Sequence, residues 1–79
     1  MRLVLNLQDR TWHVGGRESG TLGPDPAADL AWLLRAYRAI DGVFYTTGTG
    51  SAAVAALARA NEVDTQRIAV AAARVRAVA

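Results

Sequence analysis

Between residues 57 and 76 the chain gathers side chains suited to reading a nucleic acid. Asp64 is followed by Thr65, Gln66 and Arg67, with Arg59 upstream and Arg74 and Arg76 downstream. A glutamine amide can pair with adenine through two hydrogen bonds, and an arginine guanidinium can fork onto guanine or grip a phosphate. That chemistry requires Thr65, Gln66 and Arg67 on one exposed face, with Arg59, Arg74 and Arg76 along the backbone beside it.

Other residues suggest other chemistry. Gly48-Thr49-Gly50-Ser51-Ala52-Ala53 has the spacing of a dinucleotide-binding turn, whose N–H groups could hold an anion at a helix N-terminus. Such a turn needs a second parallel strand and an acidic residue at its end. After Ala60 the sequence reads as a helix cap instead, so a plain loop is the expectation. His13, Asp9, Glu18 and Asp41 are the acid/base candidates and Ser51 and Thr49 the hydroxyls, but no spacing joins a nucleophile to a base and an orienting group. We expect no catalytic residue. One histidine and no cysteine make no metal cluster, and no cofactor is expected.

Positioning these residues falls to a short series of elements. Leu3, Leu5 and Leu7 alternate with Arg2, Val4 and Asn6, which predicts a half-buried strand. With Asp9-Arg10 as a two-residue turn, Leu7 faces Trp12, Asn6 faces His13 and Leu5 faces Val14, a hairpin with its apolar pairs on one face. Residues 15–25, marked by Gly15, Gly16, Gly20, Gly23 and Pro24, read as loop. Asp25-Pro26 opens a helix whose inward stripe is Leu30, Leu33, Leu34, Tyr37 and Ile40, closed by Asp41-Gly42. Trp32 lies opposite that stripe beside Ala36 and Ala39, so it must pack on another element or meet a partner. Val43 to Thr47 reads as a third strand. Ser51 then caps a helix with Val54, Leu57, Ala58 and Ala60 inward, and Asp64 caps a last helix with Ile68, Ala71, Ala72, Val75 and Val78 inward.

The tail resembles the helix-turn-helix units of bacterial and phage regulators over residues 54–75. Ala58 takes the place of the small residue where the helices cross, Asn61-Glu62 the turn, Val63 the apolar residue after it, and Ile68 and Ala71 the inward positions of the second helix. The resemblance implies that Thr65, Gln66, Arg67 and Ala69 face a major groove. The expected fold is thus α+β: one domain over 1–79, with an N-terminal β-hairpin and a third short strand packed against three helices, the last two a helix-turn-helix-like pair.

Charge agrees with that placement only mildly. All nine cationic side chains are arginine; residues 1–50 are neutral, and the formal excess of two charges lies in residues 51–79. Arginine and alanine both have GC-rich codons, so their abundance follows genome composition more simply than function. The opening residues lack the continuous apolar run of an export signal, and nowhere does one approach the ~20 residues of a membrane span. The expected protein is cytoplasmic, does not act at a membrane and is not an enzyme. Its leading function is that of a small bacterial or phage DNA-binding regulator, dimeric, with double-stranded DNA as partner through Arg59, Thr65, Gln66, Arg67, Arg74 and Arg76. The rival is a protein-interaction module, a homo-oligomer or partner binder, working through Trp32, Ala36, Ala39 and Val70.

Overall fold

The alternation of Leu3, Leu5 and Leu7 produces the central strand of a mixed sheet. In the computed structural model, which describes residues 1–15 and 18–68, strand β1 spans Arg2–Asn6, β2 Thr11–Val14, β3 Glu18–Thr21, β4 Gly42–Thr46 and β5 Asp64–Ile68. Helix α1 spans Pro26–Ala36 and helix α2 Ser51–Ala60. The strand order is β3-β2-β1-β4-β5, with β1–β2 and β2–β3 antiparallel and β1–β4 and β4–β5 parallel. The described residues therefore form an α+β domain of five mixed strands and two helices. That overturns the expected hairpin and third strand packed against three helices.

Three local corrections explain the difference. First, the β1–β2 register pairs Leu5 with Trp12 and Leu3 with Val14, so the connection holds four residues rather than the two of an Asp9-Arg10 turn. Asn6 stabilises the longer turn: its Oδ1 accepts the N–H groups of Gln8 and Asp9 at 3.1 and 2.9 Å. Arg10 alone takes a left-handed conformation, φ 61°, whereas the tighter turn would demand it of two residues without glycine. The slip is by two residues, so every side chain keeps its expected face.

Second, the stretch read as loop contains β3, a short edge strand whose Gly20 lies beneath Trp12. A Cβ at Gly20 would come within 2.6 Å of the indole, so a side chain there would exclude the ring. Trp12 also meets Tyr37 at 6.1 Å between centroids, tilted by 56°.

Third, the segment expected to open the last helix is β5. Its five residues pair one to one with β4, from Gly42↔Asp64 to Thr46↔Ile68. A helix here would leave the outer backbone groups of β4 without this partner, and β-branched Thr65 and Ile68 are at home in a strand. Residues 69–79, including Ala71, Ala72, Val75 and Val78 of the expected stripe, lie outside the described residues.

The helices follow their caps. The side chain of Asp25 accepts the Ala28 N–H at 3.3 Å, and Pro26 supplies a fixed φ in the first turn. α1 stops at Ala36, earlier than its apolar stripe suggests, because Tyr37 turns extended while its N–H still reaches the Leu33 carbonyl at 2.9 Å. Ile40 is buried nonetheless, from outside the helix. α2 begins at Ser51, with Gly50 as its N-cap at φ 90° and no side-chain cap. Its buried residues are Val54, Ala55 and Ala58; Leu57 is half-buried and Ala60 exposed. The helices pack on each other. Together they cover the sheet face bearing Leu3, Leu5, Leu7, Val14 and Val43, with Leu22, Leu30, Leu33, Ile40, Val54 and Ala58 completing the core.

Candidate functional site

Among the described residues, those expected to read a groove do not share one face. In β5 successive side chains alternate across the sheet, so Thr65 and Arg67 follow the phase of Val43 and Tyr45, and Gln66 follows that of Phe44. Gln66 and Arg67 are both exposed but project on opposite faces. The Thr65 hydroxyl is buried and has no hydrogen-bond partner among the described residues. Arg59 is exposed in the last turn of α2. The helix-turn-helix geometry is therefore corrected to helix, turn and strand: Glu62, at φ 59°, provides the left-handed residue, and the Val63 N–H returns to the Ala58 carbonyl at 3.0 Å. Arg74, Arg76 and Val70 lie outside the described residues.

The same correction supplies the parallel strand whose absence counted against the glycine-rich turn. β4, α2 and β5 form a βαβ unit, and a cleft of about 410 Å³ opens beside the turn, lined by Leu7, Gln8, Arg10, Pro24, Pro26, Gly48 and Thr49. The glycines, however, have packing reasons to be there. A Cβ on Gly48 would lie 2.7 Å from Leu7 Cβ and 3.0 Å from its carbonyl carbon; one on Gly50 would lie 3.2 Å from the Pro26 ring. The Arg10 guanidinium donates to the Gly23 carbonyl at 2.6 Å, which ties it to the loop. No acidic residue follows Asp64 in the sequence, so the end of β5 has no carboxylate for a ribose. The turn is accounted for by packing.

Acid/base candidates are likewise scattered. His13 stands between Val4 and Ser19 in the sheet register. Asp9 accepts from the Asn6 side-chain amide at 3.1 Å, and Glu18 accepts from the Tyr37 hydroxyl. That hydrogen bond, with burial and the nearby negative charge, raises Tyr37 above its ordinary pKa. Thr46 is buried and structural, its Oγ1 accepting the Leu7 N–H at 2.9 Å and donating to Asn6 Oδ1 at 3.3 Å. Among the described residues no group of three metal-ligating side chains occurs.

The outward surface of α1 remains. Trp32 is 55 % exposed there, alongside exposed Ala28, Arg35 and Ala36 and half-buried Asp29; Ala39, beyond the helix, is exposed too. Asp29 and Arg35 belong to this surface beside Trp32, although the apolar pattern of Trp32, Ala36 and Ala39 does not single them out. Their signal was positional: each stands three residues from Trp32, and i±3 neighbours share a helix surface. The carboxylate of Asp29 also accepts the Gly23 N–H at 2.6 Å, anchoring the loop before α1. Among the described residues the single ion pair joins the Met1 amino group to Asp41 at 3.3 Å, so Arg35 is not paired with any of them.

Compared with family models, with curated proteins and with solved structures, the chain matches none. Among the described residues no helix is long and apolar enough to cross a membrane.

Proposed function

We propose that this protein is a non-enzymatic, cytoplasmic protein-interaction module that binds through the outward face of α1. The observation that carries the reading is the exposure of Trp32 at the middle of that helix. An indole left in water forgoes burial worth roughly 2 kcal/mol or more on the scale of large apolar side chains, and tryptophan is enriched among the residues that dominate binding energy. The core does not use Trp32, whereas Trp12 is packed against Tyr37. Exposed Ala28 and Ala36 on either side of Trp32 present little steric obstruction to an approaching surface.

The test compares the full chain with Trp32→Ala by sedimentation velocity and by affinity capture, with circular dichroism as the control for fold. The expected result is loss of a complex or oligomer at unchanged fold. Identical sedimentation and capture profiles would overturn the reading. Retardation of mixed duplex DNA at low salt, weakened by Arg67→Ala and unaffected by Trp32→Ala, would replace it with a nucleic-acid function.

A further inference from the structure

The outward surface of α1 is self-complementary, and we propose that its partner is a second copy of this chain, packed α1 against α1, antiparallel, about a two-fold axis at Trp32. This inference rests on the interaction-module reading and names the partner. In an isologous contact of this kind, a residue n positions before the axis comes level with the partner's residue n positions after it. Trp32 has Asp29 and Arg35 three positions before and after it, and Ala28 and Ala36 four positions before and after.

The consequences are specific. Ala28 of one copy comes level with the partner's Ala36, so small side chains flank the two indoles and let the helix axes approach closely. Asp29 comes level with the partner's Arg35, and Asp25 extends the acidic end of the same surface. Asp25 and Asp29 each accept one N–H group within their own chain, from Ala28 and Gly23. A carboxylate has further lone-pair sites, which remain for a guanidinium. Arg35 has no carboxylate partner among the described residues of its own chain. Antiparallel packing also sets the positive N-terminal end of each helix dipole against the negative end of the other. A parallel arrangement would set Asp29 beside Asp29 and Arg35 beside Arg35, so the charges select the antiparallel one. A contact made by one helix per copy falls among the small interfaces, below about 1,200 Å², so association is weak and concentration-dependent.

Sedimentation equilibrium over a concentration series tests the proposal on the full chain. The wild type should rise from 8.4 kDa toward twice that mass. Trp32→Ala and Arg35→Glu should each weaken self-association by roughly tenfold, the scale of a lost anchor or of an opposed charge pair. Asp29→Lys should also self-associate poorly, while an equimolar mixture of Arg35→Glu and Asp29→Lys should recover dimer, because only the mixed pair matches both charges. Asp29→Lys gives up the bond to Gly23, so a second probe covers the case in which it unfolds. The chain has no cysteine, and a short bifunctional thiol reagent should join Ala28→Cys to Ala36→Cys more readily than it joins Ala28→Cys to itself.

A wild type that stays monomeric across the series would overturn this inference, leaving the interaction-module reading to stand on a different partner. A mixture no more associated than its components, with no preference in cross-linking, would overturn the antiparallel arrangement and with it the proposal. Self-association of Trp32→Ala equal to that of wild type, with unchanged capture of other proteins, would overturn both.

Discussion

Tyr37 and Thr65 show how single side chains report on their surroundings. The Tyr37 hydroxyl donates to Glu18, and this bond, ahead of burial and of the charge itself, raises its pKa above the ordinary 10.0. Because the folded value lies above the unfolded one, the contact contributes stability in full below about pH 10 and loses it as the pH climbs through the raised value. Tyrosinate absorbance in a Tyr45→Phe background should therefore titrate late, and Glu18→Gln should bring it back toward the ordinary value. Thr65 carries the opposite kind of information: its hydroxyl is buried with no partner among the described residues, a desolvation cost with no return from them. Thr65→Val keeps the shape and removes that cost, so a urea melt should show stabilisation of about 1 kcal/mol. A groove-contacting threonine would show no such gain.

At the scale of elements, the fold depends on how closely one loop approaches the end of β1. The β4–α2 turn passes over the end of β1, where Gly48 has no room for a side chain beside Leu7. Gly48→Ala should push the turn outward and cost about 1–3 kcal/mol, the usual range for overpacking, measured as a lower urea midpoint at unchanged slope. The two helices were legible in the sequence because apolar spacing is a local property, and for α1 so is its cap: Asp25-Pro26 started α1 where the structure starts it, whereas Ser51, expected to cap α2, is its first residue and Gly50 takes the cap position without a side-chain bond. The end of α1 was not, since Tyr37 and Ile40 continue its apolar stripe while the backbone departs from helix. Burial through a loop and burial through a helix leave the same trace in composition.

The whole molecule is a two-layer arrangement among its described residues, with both helices on one face of the sheet and a core centred on β1. Leu30 is fully buried where α1 meets that core. Leu30→Ala should cost about 2–5 kcal/mol. Set against the roughly 5–15 kcal/mol that holds a domain folded, that loss should bring thermal unfolding close to working temperature. Trp32→Ala should leave the same melt nearly unmoved, because Trp32 lies outside the core. The contrast between these two variants separates what holds the fold from what the fold presents.

One feature of the candidate site was legible too. The stripe of α1 implied that Trp32 points away from the core, and its exposure agrees. That inference needed only the angle between helical residues. The identity of residues 64–68 needed more: an aspartate cap, a β-branched residue, two polar residues and an isoleucine satisfy the first turn of a helix or an edge strand equally well. The sequence by itself determined the alternating strand at the N-terminus, the start of α1 and the face on which Trp32 lies. Only the tertiary structure decided that Asp64–Ile68 is a strand, because the deciding interaction is with β4, some twenty residues away in the chain, whose open edge this segment satisfies.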